Sequence, residues 1–111
     1  MTVATPNAEH PQDLDLQITR IKPRTSAGGT WVSGTIDDEF RFDALVFAEH
    51  AQTQEYELNG SRISKLWIAT IKDRKTTFNF DRGLDIPARC SRTQGVVEFL
   101  CEGLADLIYA N

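Results

Sequence analysis

The chain is poor in the residues that most often carry chemistry in a small protein. Its 111 residues include two cysteines (Cys90 and Cys101), two histidines (His10 and His50) and a single methionine. With no third or fourth thiolate and no His beside either cysteine, the spacing offers no zinc site and no other metal or cofactor motif. Both thiols are expected to be free in a reducing compartment, with Cys101 a small apolar residue of a buried helix face. Positive charge is not in excess either. Twelve Lys and Arg against 16 Asp and Glu leave a formal charge of −4, which argues against bulk adhesion to DNA or anionic lipid but allows a local basic patch. No apolar run approaches the roughly 20 residues that a membrane helix needs. The opening MTVATPNAEHPQD lacks a basic n-region and an apolar h-region, so no signal peptide is expected. These absences point to a soluble, cytosolic protein.

What is present reads as one ordinary domain. Hydrophobic residues make up 41% and charged residues 25%, values typical of a globular chain. Residues 1–13 are polar and aperiodic, and are read as a flexible arm ahead of a single domain over 14–111. From Leu14 the pattern alternates, with Leu14, Leu16 and Ile18 on one side, as in a half-buried strand. KPRTSAGG (Lys22–Gly29) is a loop. TWVSGTI (Thr30–Ile36) and FRFDALVF (Phe40–Phe47) flank the acidic turn DDE and read as a hairpin. EYEL, the Asn59-Gly60 turn and RISKLWIATIK read as a second hairpin. Asp73-Arg74 then turns the chain into KTTFNFD, whose Phe78 and Phe80 face inward.

The C-terminal segment changes period. Val96, Val97, Leu100, Leu104, Leu107 and Ile108 recur at helical spacing, Ser91 and Gln94 fit a capping box, and Pro87 marks a point where the chain is not yet helical. Gly103 is expected where the helix approaches the sheet closely. The fold class expected is therefore α+β: an antiparallel sheet of five to six strands in hairpins or a meander, covered on one face by one amphipathic C-terminal helix.

Most catalytic readings find little support. No G-x-S-x-G is present, His10 and His50 lie in the arm and in a loop, and AGG (Ala27–Gly29) precedes no helix that could form a phosphate loop. The carboxylates Asp37, Asp38, Glu39, Asp43, Glu49, Glu55 and Glu57 fall at turn and outer-strand positions, where solvation leaves them unshifted. The basic and aromatic stretch from Arg62 to Arg82 has the composition of a single-strand nucleic-acid binder, although a solvated basic edge explains the same charges. In the strand after Asn59-Gly60, Trp67, Ala69 and Ile71 share one face and Leu66, Ile68 and Thr70 the other. Trp67 thus stands as an exposed aromatic, the usual centre of a protein hot spot.

GTWVSGTIDDEFRFDALVF, ELNGSRISKLWI and NFDRGLDIPA resemble a family of small uncharacterised proteins encoded by phages and other mobile elements, over Gly29 to Ala88. The resemblance carries no catalytic residue. It implies a context in which short acidic proteins bind and block host enzymes, as anti-CRISPR and anti-restriction proteins do. The leading expectation is a non-enzymatic accessory protein of the host cytoplasm that docks on a host protein complex. Asp37, Asp38, Glu39 and Asp43 would form its charged face, and Arg62, Lys65 and Trp67 a second contact. The alternative is a nucleic-acid-binding accessory protein using the hairpin 62–82. Homodimerisation through the face that carries Trp67 and Ile71 is a further use of the same residues.

Overall fold

The computed structural model describes residues 14–110; the proposed arm, 1–13, lies outside them. Six strands follow one another along the chain: β1 Leu16–Pro23, β2 Thr30–Ile36, β3 Phe40–Val46, β4 Ile63–Thr70, β5 Thr76–Asp81 and β6 Leu84–Ile86. They pair in that same order, each antiparallel to the next, to give an open meander. One long helix, α1, spans Ser91–Tyr109. The architecture is the expected α+β sheet with a single C-terminal helix.

Alternation decides which face is buried. Val32 and Ile36, Phe40, Phe42, Ala44 and Val46, Leu66 and Ile68, and Phe78 and Phe80 are all buried, and the register sets them side by side on one face. Val96, Val97, Leu100 and Leu104 of α1 join them in one core, with Leu58 added from the β3–β4 connection. The β2–β3 turn is equally local in origin. Asp37 and Asp38 both take positive φ, at 56° and 54°, and Glu39 N–H closes the turn on Ile36 O at 2.9 Å, the backbone of a tight hairpin whose twist matches its strands.

Helix α1 is tied to both ends of that hairpin. At its N-terminus Arg92 bonds Asp37 and Glu39 in the turn. At its C-terminus the Tyr109 hydroxyl donates to Val46 O at 3.0 Å and lies 2.8 Å from Thr30 Oγ1, at the hairpin's open end. The 19-residue helix is about 28 Å long at about 1.5 Å per residue, enough to run along both strands from turn to open end.

Several local expectations are corrected. EYEL is not a strand. Gln54–Tyr56 and Leu58–Gly60 form two short 3-10 turns, and β4 pairs instead with β3 and β5. Asn59 and Gly60 do adopt positive φ, but burial of Leu58 and Glu57 pulls this segment inward, out of the plane of the sheet. The sixth strand is Leu84–Ile86, too short to show a period. The first begins at Leu16 rather than Leu14, although Leu14, Leu16 and Ile18 all lie against the core. β4 ends at Thr70, which leaves Ile71 in a turn. The helix N-cap is Cys90, with no side-chain cap bond, so Ser91 and Gln94 form no capping box and Gln94 bonds Glu98 instead. Leu107 continues the helical stripe but is 56% exposed. Gly103 faces open space.

Gly34 is the glycine that the packing requires. A Cβ there would stand 2.3 Å from Gln17 O of β1. Gly34→Ala is expected to destabilise by about 1–3 kcal/mol and to speed hydrogen exchange across β1. Gly103→Ala, with nothing near its missing Cβ, should be neutral or stabilising by up to about 1 kcal/mol. Equal effects at the two sites would show that β1 does not depend on this close approach.

Candidate functional site

The seven residues singled out in the sequence do not form one surface. Asp37 and Glu39 are committed within the fold, paired with Arg92, while Asp37 also accepts the Asp15 N–H at 2.7 Å. Hydrogen bonding to Glu39, opposed by partial burial and aided by Asp37, holds the Arg92 guanidinium charged. Only Asp38 of this turn has no recorded partner among the described residues. The acidic turn is therefore first of all the clamp on the start of α1.

Asp43, Lys65 and Trp67 come together elsewhere, on the sheet face away from the helix. Register places Asp43 opposite both Ser33 and Trp67, and Lys65 between Leu45 and Asp81. The same face carries Arg20 and Lys22 of β1, opposite Ser33 and Trp31, together with Arg41. Among the described residues no helix or strand lies over it. Trp67 is half-buried rather than exposed. Its indole Nε1–H donates to Thr76 Oγ1 at 3.0 Å, and Arg41 sits 5.5 Å above the ring. Asp43 accepts from Ser33 Oγ, and Lys65 lies 3.5 Å from Asp81. The face is thus mixed in chemistry, with cations beside two half-buried indoles, Trp31 and Trp67. The exposed flank of α1 is acidic, with Glu98, Glu102 and Asp106.

Arg62 belongs to a third place, a cleft of about 780 Å³ at the open end of the β2–β3 hairpin. Three connections build it: the β1–β2 loop with Arg24, the β3–β4 segment with Phe47, His50, Tyr56, Glu57 and Arg62, and Arg82 just after β5. Lys65 lies on its wall and joins it to the open sheet face. Arg62 donates to Ala48 O at 3.0 Å and pairs with Asp106 of the helix. Arg24 and Arg82 have no carboxylate within salt-bridge reach among the described residues. Each rests on a ring, Arg24 on Phe47 at 5.8 Å and Arg82 on Tyr56 at 5.9 Å, and Arg24 also donates to the Gly28 and Ala27 carbonyls of its own loop.

Glu57 corrects the expectation of solvated, unshifted carboxylates. Its side chain is only 6% exposed. Oε1 accepts the Ala51 N–H at 2.6 Å, and Oε2 lies 2.7 Å from His50 Nδ1. Burial pushes this carboxyl up, but bonds from Ala51, His50 and the Arg62 backbone outweigh it and hold Glu57 below the ordinary carboxylate range. The sequence hid this residue because EYEL reads equally well as an outward-facing strand edge. Cys101 is half-buried rather than a full core residue, and burial pushes its thiol up to about 11. Cys90 is exposed, and its thiol is lowered by hydrogen bonding to Thr93.

A family model described as a domain of unknown function, DUF7678, matches residues 30–105. The chain belongs to this family, and the match runs from β2 into the last turns of α1. No curated protein matches, and no solved structure does. No described helix is long and apolar enough to cross a membrane.

Two measurements check this electrostatic picture. Because the folded Glu57 titrates below its unfolded value, its contribution is complete above the ordinary value of 4.5 and is lost as pH falls through the lower folded value. Glu57→Gln should destabilise by about 1–3 kcal/mol at neutral pH, with the gap to wild type closing below pH 4.5; a gap constant down to pH 3 would mean that the charge holds nothing. With iodoacetamide, Cys90 should react first and Cys101 only on unfolding. Equal rates on the folded protein would contradict the half-buried, neutral Cys101.

Proposed function

We propose that this chain is a non-enzymatic binding protein that takes single-stranded nucleic acid on its uncovered sheet face. The observation that carries the reading is the grouping of four cations with two indoles on that face, where Asp43 and Asp81 are the neighbouring acids. The acidic residues of the helix flank and the β2–β3 turn account for the net negative charge of the whole. Arg20, Lys22, Arg41 and Lys65 share the open face with Trp31 and Trp67. Single-strand binders join cations for the backbone with flat rings for the bases, and here Arg41 and the Trp67 indole offer both to one ligand. The resemblance to proteins of phages and mobile elements adds the context of a small accessory protein.

A second reading has its own support. Trp67 among Arg41, Asp43 and Lys65 also has the composition of a protein hot spot, which suits a stoichiometric inhibitor docked on a host defence complex. In that reading the docking residues are Asp43, Lys65 and Trp67, without the acidic turn. The face could equally meet a second copy of the chain, and sedimentation at two concentrations tests that.

Anisotropy titration of a labelled single-stranded oligonucleotide across a salt series decides between ligands. If three to four phosphates are neutralised, log K should fall against log salt with a slope of about −2 to −3. Trp67→Ala should weaken binding by about 1–3 kcal/mol if it stacks one base, and Arg41→Gln should reduce the slope by about 0.7. Absent or salt-insensitive binding would overturn the nucleic-acid reading. A host complex retained on the wild type after nuclease treatment, and lost with Trp67→Ala, would establish the second.

A further inference from the structure

The cleft at the open end of the sheet carries chemistry that strand binding along the open face does not use. Internal phosphodiesters bear one negative charge each and ask only for a track of cations. The cleft concentrates charge at one point instead. Arg24 and Arg82 reach it from different connections, and neither is neutralised by a carboxylate among the described residues. Each guanidinium is parked on an aromatic ring. A cation–π contact is worth only about 0.5–1 kcal/mol at exposed sites and leaves the Arg82 guanidinium edge, with its N–H donors, open to an oxyanion. Arg24 already donates from Nε to Gly28 O at 2.6 Å and from Nη2 to Ala27 O at 3.4 Å, and offers its remaining N–H groups. The planar fork of Arg82 matches two phosphate oxygens at once.

The remaining walls fit the same ligand. Glu57 holds His50 by Nδ1, which leaves the other ring nitrogen for a ligand in the cleft. Two further cations are present but partly committed, Arg62 to Asp106 and Lys65 to Asp81. Glu49 on the rim is the one lining carboxylate besides Glu57. Tyr56 is 49% exposed and, with Phe47, offers a flat apolar surface within reach of the two guanidiniums. A volume of about 780 Å³ falls within the roughly 300–1,000 Å³ of small-molecule sites.

We infer that this cleft binds a phosphomonoester joined to an aromatic base, supplied either by a free nucleoside monophosphate or by the phosphorylated end of a strand. Arg24 and Arg82 hold the phosphate, His50 turns toward it the ring nitrogen that Glu57 does not hold, and Tyr56 or Phe47 stacks on the base. The site is distinct from the track on the open face and meets it at Lys65. A strand lying along Trp67 would therefore have its end within reach of the cleft.

The test uses the full chain and amide chemical shifts. It is titrated with adenosine monophosphate, with inorganic phosphate, and with hexanucleotides carrying a 5′-phosphate, a 3′-phosphate or neither. The expected result is a saturable shift of the Ala51, Arg62 and Arg82 amides with the monophosphate or a phosphorylated hexamer, at least tenfold tighter than with the unphosphorylated one. Arg82→Gln, or Arg24→Gln should the first fail to fold, should weaken this binding at least tenfold, whereas Arg89→Gln, exposed ahead of α1 and outside the cleft lining, should not. Saturation by the nucleotide alone names a free ligand, saturation only by a phosphorylated hexamer names a strand end, and either supports the site. Equal affinity for phosphorylated and unphosphorylated hexamers without a response to the nucleotide overturns it, as does full affinity in a folded arginine variant. Loss of strand binding with the cleft shifts intact would end only the open-face reading.

Discussion

Everything else in this structure depends on how the inner face of the meander is covered. A six-stranded sheet with one apolar face cannot leave that face in water, and the chain supplies one long helix to close it. The helix is held less by its own ends than by the β2–β3 hairpin. Its N-terminus has no side-chain cap, and the orphan donors of a helix start would otherwise contribute little to stability. Arg92 gripping Asp37 and Glu39 at one end, and Tyr109 gripping Thr30 and Val46 at the other, set the direction of the helix along the hairpin. The apolar stripe between those two anchors then meets Phe42, Leu66 and Ile68.

That arrangement determines where ligand chemistry can be. Asp37 and Glu39 of the turn are used internally, so much of what reads as a charged docking face in sequence is part of the scaffold. Because the only long helix among the described residues lies on one face, none of them covers the other, and the alternation that buries Phe42 and Leu66 necessarily turns Arg41, Asp43, Lys65 and Trp67 outward. The cleft follows from the same constraint at the opposite end of the hairpin. There three connections converge around the end of α1, and the long β3–β4 segment folds inward on Leu58 and Glu57 instead of adding a strand.

Much of this was legible before any coordinates. The β2–β3 hairpin, the inward pair Phe78 and Phe80, and the amphipathic stripe from Val96 to Leu104 follow from period and turn chemistry, which are local. The misreadings share a physical cause. EYEL has the composition of a strand, and Asn59-Gly60 the backbone preference of a hairpin turn, but burial of Leu58 and of the hydrogen-bonded Glu57 prevailed over both propensities. Leu107 continues the helical stripe in sequence, yet its side chain stays exposed. Leu84–Ile86 is a strand only because β5 offers it an edge.

The sequence by itself determined the helix and the longer strands and, within each, which side chains share a face, because backbone geometry imposes periods of two and of about 3.6 residues wherever a strand or helix forms. It also determined the turns at Asp37-Asp38 and Asn59-Gly60 as places of positive φ. Only the tertiary structure decided which charges neutralise one another and which stay free. Arg92 meets Glu39 across 53 positions of chain, and Arg62 meets Asp106 across 44. Arg24 and Arg82 become neighbours of one cleft through the stacking of strands between them. Such partnerships depend on distances that exist only once the sheet is assembled, and no local period encodes them.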